Sequence, residues 1–387
     1  MSVKRIFDFL RDDLCDTRRP QPPQRAKEQL SPAAHAPLAI IKSTVAACVP
    51  PQSSCIHVTP ASQAALPSDL AVSPAEAAPH GLHAPQPGAT ALLIQDLREL
   101  FKVKVVTLVV VTGWGGFYLG SMQWGISTLQ RGLLDVLLGI GLVSAGAGAL
   151  NQCLERTSDA RMKRTANRPL ASGRFPLAVG ILAGLGSIAL GAIWLALHTN
   201  MLTVALALLT AFTYVAIYTP LKRVTSLATF IGAFPGAMGP LLGWTAARDR
   251  IEWPGVALFA ILFVWQFPHF MSIAWLYRDD YARAGIRMLP VVQPDGWATV
   301  VEAIFYAVLM IPVSLAPWWL GMTGAIYVIP ATALGLVYLG YTLRFARILH
   351  AKTEDESRML ARDLLKVSVL YLPLLFTTLM LCAIARG

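Results

Sequence analysis

The sequence predicts an all-α protein that crosses a lipid bilayer nine times. Of its 387 residues, 55% are hydrophobic and 14% are charged, and the mean hydropathy is +0.55. A soluble domain carries about 25% charged residues, so this composition is typical of a polytopic membrane protein. Nine apolar runs each approach the length that a membrane helix needs, and the cations cluster in alternate loops between them.

The nine predicted spans follow one another through the last three quarters of the chain. They lie at 103–123, 133–154, 175–197, 201–219, 226–247, 254–276, 298–320, 323–343 and 364–384. Lys102 and Lys104 precede the first span, and Lys222 and Arg223 follow the fourth, whereas the opposite loops carry few cations. Because cytoplasmic loops are enriched in Lys and Arg, we expect the N-terminus inside the cell and the C-terminus outside.

The chain changes in composition near residue 95. Residues 1–95 are rich in Pro, Ala, Gln and Ser and lack a sustained apolar period, which predicts a disordered cytoplasmic tail. Residues 96–387 form the predicted membrane domain. The net charge of +10 does not indicate a nucleic-acid partner, because the cations follow the pattern of membrane topology. The five cysteines include no CxxC pair, so neither a disulfide framework nor a zinc site is predicted.

Three oxygen-bearing side chains occur at four-residue spacing where the second span ends. Asn151, Glu155 and Asp159 would lie along one stripe of a helix, each rotated by about 40° from the last. Mg2+ binds through one or two carboxylates together with substrate phosphates, so this stripe predicts a metal site. Four cations that could hold the remaining phosphate charge follow it, namely Arg161, Lys163, Arg164 and Arg168. The alternative is a solvated loop whose cations only set the topology.

A second group of polar residues lies where the sixth span ends. On a continuous helix, His269 and Asp280 would differ by about 20° in azimuth, and Asp279 would point about 100° away from Asp280. We therefore expect Asp280 to face the site, unless the two acids are an ordinary pair at a helix end. His269 is either a hydrogen-bonded packing residue or a ligand or acid–base group.

Two further segments complete the candidate site. Lys222 and Arg223 could bind phosphate or anchor the fourth span at the membrane surface, and the loop at 284–290 could be a lid or a plain turn. Together, the clusters fit two Mg2+ sites that hold a diphosphate whose departure leaves an allylic carbocation. An apolar cavity inside the bundle would accept the isoprenoid tail and exclude water from the cation.

Residues 100–385 resemble the UbiA superfamily of intramembrane prenyltransferases. The residues that match its signature are Asn151, Glu155, Asp159, Met162, Arg164, Thr165, Arg168 and Gly173. Ser158 departs from it, since a hydrophobic residue usually precedes the aspartate. The segments that resemble the haem-prenylating branch are Tyr218–Thr225, Pro268–Phe270 and Asp280–Pro290. Arg287 stands where that branch often has proline.

The resemblance implies a fold, a reaction and a location. The fold is a nine-helix bundle with its active site on the cytoplasmic side. The reaction transfers a farnesyl group from farnesyl diphosphate to a vinyl group of protohaem IX, forming haem O and diphosphate for terminal oxidases. The location is the inner membrane of a bacterium, with Mg2+ as cofactor and with haem A synthase or a terminal-oxidase assembly as a partner.

The resemblance also implies roles for individual residues. Asn151, Glu155 and Asp159 would hold one Mg2+, and Asp280 would hold the other. The implied substrate contacts are Arg164, Arg168, Lys222 and Arg223 at the diphosphate, His269 at the haem, and Tyr281.

Three other functions are weighed against this one. A related enzyme could prenylate a hydroxybenzoate, a naphthoate or a chlorophyllide, although the Pro268–Phe270 and Met288–Pro290 segments argue against those acceptors. A transporter could use Glu155, Asp159 and Asp280 as an ion path, but transporter sites lie near the midplane of the bilayer and these carboxylates cluster at one face. A structural or assembly protein would not explain the density of charge at that face.

Overall fold

The computed structural model describes residues 89–122 and 132–383, and this part of the chain consists of helices joined by turns and loops, with no named strand. The helices are α1 (Ala89–Leu100), α2 (Val103–Met122), α3 (Gly132–Asp159), α4 (Leu177–His198), α5 (Met201–Phe212), α6 (Ala228–Arg248), α7 (Trp253–Leu276), α8 (Arg278–Ala284), α9 (Leu289–Val292), α10 (Trp297–Trp319), α11 (Val328–Phe345) and α12 (Glu354–Leu381). A π-helical segment, Thr213–Tyr218, and one α-helical turn, Thr219–Leu221, continue α5. The predicted all-α fold is confirmed.

Within the described residues, eight helical segments are long and apolar enough to cross a membrane. They correspond to eight of the nine predicted spans. The remaining prediction, 226–247, coincides with α6, which has 21 residues but is not among the eight. Helix α6 contains Pro235, Pro240 and several glycines, which lower its hydropathy while leaving its length sufficient to cross.

The glycines of α6 have a packing role against α2. A Cβ atom on Gly243 would lie 1.9 Å from the carbonyl oxygen of Gly113, and one on Gly116 would lie 1.9 Å from the carbonyl oxygen of Pro240. No larger residue fits at either position without moving the backbone. Small residues let membrane helices approach closely. The glycines of α6 therefore lower its hydropathy but allow close packing against α2.

Two apolar clusters hold the bundle together. Helices α7, α10, α11 and α12 contribute most of the larger cluster, which includes the fully buried Tyr338 and Met271. Helices α2 to α6 form the second, around Ile140 and Leu195. The polar residues described below lie at one end of α2, α3, α5 and α7.

Of the predicted tail, residues 1–88 lie outside the described residues, so their disorder stays a prediction. Helix α1 begins at Ala89, so the last residues of the predicted tail, 89–95, are helical. Helix α1 buries Asp96 and Leu100, whereas Leu93 and Ile94 are about half exposed.

Candidate functional site

The predicted stripe of oxygens lies on α3, which continues through Asp159. Asn151 is 0% exposed, Glu155 5% and Asp159 1%, so all three side chains face the protein interior. The hydroxyl of Thr165 donates a 2.9 Å hydrogen bond to the carbonyl oxygen of Asp159 and so caps the end of the helix. The four-residue spacing therefore produces one polar stripe on α3, and its three side chains are buried.

Each oxygen-bearing side chain of the stripe contacts a cation from a different segment. The ammonium of Lys102, between α1 and α2, donates to Oδ1 of Asn151. The ammonium of Lys222, after α5, contacts Oε1 of Glu155. Nη1 of Arg168, in the loop after α3, lies 2.8 Å from Oδ2 of Asp159. These three pairs are called the stripe pairs below.

The backbone of Lys102 is in the left-handed region, with φ at 46°. Non-glycine residues rarely adopt this conformation unless their surroundings hold it. Nε2 of Gln152 supplies part of that restraint, since it donates to the carbonyl oxygens of Glu99 at 2.6 Å and Leu100 at 3.0 Å. Burial, with a smaller contribution from Arg168 and against the opposing effect of Glu155, lowers the pKa of the Lys102 ammonium to about 7.

The π-helical segment Thr213–Tyr218 shapes the wall opposite α3. Insertions of this kind are frequent at functional sites because they re-aim side chains. Here the rings of Tyr214 and Tyr218 stack with their centroids 5.6 Å apart, and Lys222 lies 4.9 Å from the centroid of Tyr218. Burial acts to lower the pKa of Lys222, but Tyr218 and Glu155 outweigh it and raise that pKa above its ordinary value. Lys222 is therefore a cation in this structure.

An ion pair fastens α1 to the loop that follows α3. Nε and Nη2 of Arg174 donate to the two carboxylate oxygens of Asp96 at 2.9 and 2.7 Å, and Nη2 also donates to the carbonyl oxygen of Asn167. The hydrogen bond from Arg174 lowers the pKa of Asp96, against the raising effect of burial. The preceding Gly173 has φ at 79°, which a side chain would resist, and this turn brings Arg174 back towards α1.

The second acidic group differs from the prediction in one respect. The helix expected to continue through Asp280 ends at Leu276, because the backbone of Tyr277 (φ −113°, ψ 20°) breaks it and α8 begins at Arg278. The two acids nevertheless differ in their exposure to solvent, while the position of Asp280 in the site stays a prediction. The side chain of Asp280 is 15% exposed and pairs with Arg283, whereas that of Asp279 is 61% exposed and lies 3.2 Å from Arg358.

The two acid-bearing segments pack against each other. Met162, just after the stripe, lies in one apolar cluster with Tyr281 and Met288 of the α8 segment. The amide of Arg287 donates a 2.9 Å hydrogen bond to the carbonyl oxygen of Lys222. The loop at 284–290 is thus attached to the end of α5, and both a lid and a plain turn stay compatible with this contact.

A cavity of about 400 Å3 opens beside these residues. Lys102, Arg164 and Tyr281 line it at the polar end, and most of its remaining wall is apolar and comes from α2, α3, α5, α6 and α7. Such a volume is in the range of small-molecule sites. The guanidinium carbon of Arg164 lies 4.8 Å from the centroid of the Tyr277 ring, which directs this arginine towards α8.

Neither His269 nor Arg223 lines this cavity. Nδ1 of His269 is 2.8 Å from the hydroxyl of Ser368 on α12, and its imidazole stacks on Trp265 with the centroids 4.8 Å apart. These contacts are those of a hydrogen-bonded packing residue, which is one of the two roles that the sequence allows for His269. Arg223 is exposed and donates to the carbonyl oxygen of Leu154 at 2.9 Å.

The stripe has the chemistry of a Mg2+ site. Oδ1 of Asp159 is buried and accepts no hydrogen bond from any residue that the structure describes. A buried carboxylate oxygen without a donor is costly, and a hard cation would satisfy it. No group of three or more His, Cys, Asp or Glu side chains arranged to hold a metal ion occurs among the described residues. Mg2+ takes one or two protein carboxylates and completes its shell with substrate phosphate oxygens and water, so Glu155 and Asp159 could supply its carboxylate ligands.

Residues 108–370 match the UbiA prenyltransferase family, and they make up more than half of the chain. The chain belongs to the UbiA prenyltransferase family. It is 51% identical over 300 residues to a protoheme IX farnesyltransferase of Koribacter versatilis, a match that covers 78% of this chain and 96% of that protein. It is 41% identical over 296 residues to the protoheme IX farnesyltransferase of Solibacter usitatus, covering 74% and 98%.

Solved structures with the UbiA fold agree with the helical bundle. A structure of digeranylgeranylglyceryl phosphate synthase has a TM-score of 0.61 at 20% identity and covers 75% of this chain and 98% of that one. A UbiA homologue from Archaeoglobus fulgidus, bound to GPP and Mg2+, has a TM-score of 0.52 at 15% identity and covers 73% and 99%. At these identities the likeness concerns the fold.

In this UbiA family member the structure adds Lys102 and Tyr214 to the predicted site. The hydroxyl of Tyr214 lies 3.3 Å from Nζ of Lys102, and both residues line the cavity. In the sequence, Lys102 is one of the cations before the first predicted span, and that position indicates only the topology of the chain. Its contact with Asn151 spans 49 residues, which no local spacing could predict.

Proposed function

We propose that this chain transfers a farnesyl group from farnesyl diphosphate to a vinyl group of protohaem IX, forming haem O and diphosphate. The observation that carries the proposal is the position of the stripe pairs, which meet an apolar cavity of about 400 Å3 at Lys102. The names of relatives that are 41–51% identical over almost their whole length support the same reaction. The assignment of substrate and metal contacts to single residues is part of this proposal.

The diphosphate of the donor binds at the polar end of the cavity. Arg164 and Lys102 line that end, and Lys222 and Arg168 lie beside it in the stripe pairs. A guanidinium group can donate two parallel hydrogen bonds to two phosphate oxygens, and each ammonium group adds a compact positive charge. The farnesyl chain extends between α2, α3, α5 and α6, where apolar residues keep water from the reacting carbon.

The reaction begins when the bond between C1 of the farnesyl group and the diphosphate oxygen breaks. The electron pair leaves with the diphosphate, and the surrounding cations stabilise the charge that develops there. Asn151, Glu155 and Asp159 would hold one Mg2+ and Asp280 a second. When bound, Mg2+ supplies further positive charge to the leaving group. The two UbiA homologue structures that contain GPP or DMAPP together with Mg2+ support a divalent metal.

The allylic cation is then captured by the vinyl group of the haem. The vinyl π electrons form the new carbon–carbon bond with C1, which leaves a cation on the other vinyl carbon. Water adds to that carbon and releases a proton, so the product carries a hydroxyl group in addition to the farnesyl chain. Prenylation of a hydroxybenzoate or a related acid is the competing possibility, and the curated relatives favour haem.

The chain is a multi-pass membrane protein. We place the polar end of the cavity at the cytoplasmic face of a bacterial inner membrane, with the N-terminus in the cytoplasm, because Lys and Arg are concentrated at that end. Haem O is more hydrophobic than its precursor and stays in the bilayer. Its acceptor is therefore a membrane protein, for which haem A synthase or a terminal-oxidase assembly is the proposed candidate.

The test is a reaction with purified full-length protein in lipid nanodiscs. Farnesyl diphosphate, Mg2+ and reduced haem B should give a haem whose mass increases by farnesyl plus water. Chelation of the divalent metal should stop the reaction, and its restoration should recover it. Prenylation of 4-hydroxybenzoate with no reaction of haem would keep the prenyltransferase activity and reject the proposed acceptor.

A further inference from the structure

We propose that Lys102 occupies the metal-facing oxygen of Asn151 in the unliganded protein and leaves it when the metal and the diphosphate bind. Lys102 is then a positioning residue, which delays metal binding until substrate is present. The inference rests on the proposed function, because it requires the stripe to be a metal site. It concerns the order in which the site is filled.

The contacts of Asn151 fix which of its atoms faces Lys102. Nδ2 donates a 2.9 Å hydrogen bond to the hydroxyl of Thr219, and that hydroxyl in turn donates to the carbonyl oxygen of Tyr214 at 2.8 Å. With Nδ2 held in this way, Oδ1 points to the Lys102 ammonium. The amide oxygen is the atom that a hard cation would use, so Lys102 and Mg2+ compete for one position.

Lys102 differs from the other two cations in the strength of its pair. Lys222 and Arg168 each contact a carboxylate, so both partners carry a full charge. The partner of Lys102 is a neutral amide. Hydrogen bonds between two charged groups are stronger than those with a neutral partner, so the Lys102 contact is the easiest of the stripe pairs to displace.

The side chain of Lys102 can change partner while its backbone stays in place. Hydrogen bonds from Gln152 to Glu99 and Leu100 hold the turn, and the pair between Asp96 and Arg174 holds α1. Lys102 already lines the cavity. Rotation about its side-chain bonds would carry the ammonium from Asn151 towards a diphosphate in the cavity. The strained backbone conformation then serves to aim a mobile cation.

The experiment measures binding of Mn2+, as a probe for Mg2+, to the full-length protein in nanodiscs without substrate, by electron paramagnetic resonance. Lys102→Met should bind Mn2+ about tenfold more tightly than wild type, because the competing donor is gone. Lys104→Met is the matched control, since it removes the same charge from an exposed residue two positions away. The Mn2+ affinity of Lys104→Met should differ from that of wild type by less than about twofold, as expected for a screened surface charge.

Two further variants make the outcome decisive. Lys102→Leu also removes both the charge and the hydrogen-bond donor, and it replaces Lys102→Met if that protein does not accumulate in membranes. Asp159→Asn tests the metal site itself and should weaken Mn2+ binding. If Asp159→Asn weakens binding while Lys102→Met, or Lys102→Leu in its place, behaves like Lys104→Met, the inference about Lys102 is overturned and the metal site stands. If neither wild type nor Lys102→Met binds Mn2+, or if Asp159→Asn binds it as tightly as wild type does, the proposed metal site itself is rejected, and the inference with it.

Discussion

Arg168 and Asp159 form a one-sided pair, with Nη1 2.8 Å from Oδ2 while Oδ1, also buried, has no hydrogen-bond donor in the described part of the chain. This asymmetry leaves one carboxylate oxygen for a metal ion without breaking the ion pair. Asp159→Asn removes the charge and keeps the size of the side chain. We expect the rate of haem O formation to fall by about two orders of magnitude, as for the loss of one group that stabilises a transition state.

The measurement is haem O formed per mole of purified Asp159→Asn protein, separated by chromatography. Asp279→Asn is the control, because Asp279 is an exposed acid at the same end of the bundle. Membrane accumulation of the two variants should be equal. Retention of most of the activity by Asp159→Asn would show that the free oxygen has no part in catalysis.

The ion pair between Lys222 and Glu155 is buried on both sides, with side-chain exposures of 14% and 7%. Lys222→Met leaves the Glu155 carboxylate without this partner, and loss of one member of a buried pair costs about 3–5 kcal/mol. We therefore expect a marked fall in the thermal stability of the detergent-solubilised protein. The double variant Glu155→Gln/Lys222→Met should recover most of that stability but none of the activity.

Arg223→Met controls for the loss of a neighbouring exposed cation. Its unfolding temperature should stay close to that of wild type. Equal unfolding temperatures of Lys222→Met and wild type would mean that Glu155 is hydrated or protonated when Lys222 is absent.

The sequence predicted the helical content, the stripe and the contrast between Asp279 and Asp280, because all three depend on periodicity. Burial of the residues at 151, 155 and 159 follows from a helix that stays regular to its end. Asp279 and Asp280 differ in exposure even though the helix breaks at Tyr277, since α8 begins at Arg278 and adjacent residues of a helix point about 100° apart.

Contacts between segments that are distant in the chain could not be predicted from the sequence pattern. Lys102 meets Asn151 across 49 residues and Arg174 meets Asp96 across 78, and neither pairing leaves a local pattern. The hydrogen bond of His269 is a further contact that local spacing does not predict. Spacing predicts only that His269 shares a helix face with Asp280, whereas its hydrogen bond to Ser368, 99 residues away in sequence, depends on the position of α12.

Asp280 should matter more than Asp279 for catalysis. Asp280 is largely buried in the segment that packs on Met162, whereas Asp279 faces solvent. The loss of activity in Asp280→Asn should exceed that in Asp279→Asn by at least about tenfold, if Asp280 stabilises the leaving diphosphate through a metal. Steady-state rates at saturating farnesyl diphosphate test this. Equal losses would place the second metal site away from Asp280.

The pair between Asp96 and Arg174 should make a small, pH-dependent contribution to stability. Arg174 lowers the pKa of Asp96 below its ordinary value of 3.8. The contribution is therefore fully present above about pH 4 and is lost as the pH falls through the lowered pKa. Asp96→Asn should reduce stability by about 1 kcal/mol at pH 7, because Arg174 is half exposed.

Thermal unfolding of wild type and Asp96→Asn between pH 7 and pH 3 tests the sign of this effect. The two curves should converge at the acid end. A difference that grows towards low pH would contradict the role given to Arg174.

The apolar part of the cavity should set the length of the prenyl chain. Ala207 is 1% exposed and lines the cavity on α5, so Ala207→Phe would fill part of its volume. We expect the ratio of kcat/KM for farnesyl over geranyl diphosphate to fall at least about tenfold, since missing room for even one or two carbons costs that much discrimination. Ala205→Phe is the control, because Ala205 is exposed on the same helix. Ala207→Leu should give a smaller shift in the same direction. An unchanged ratio in Ala207→Phe, at normal membrane accumulation, would show that the farnesyl chain lies outside this cavity.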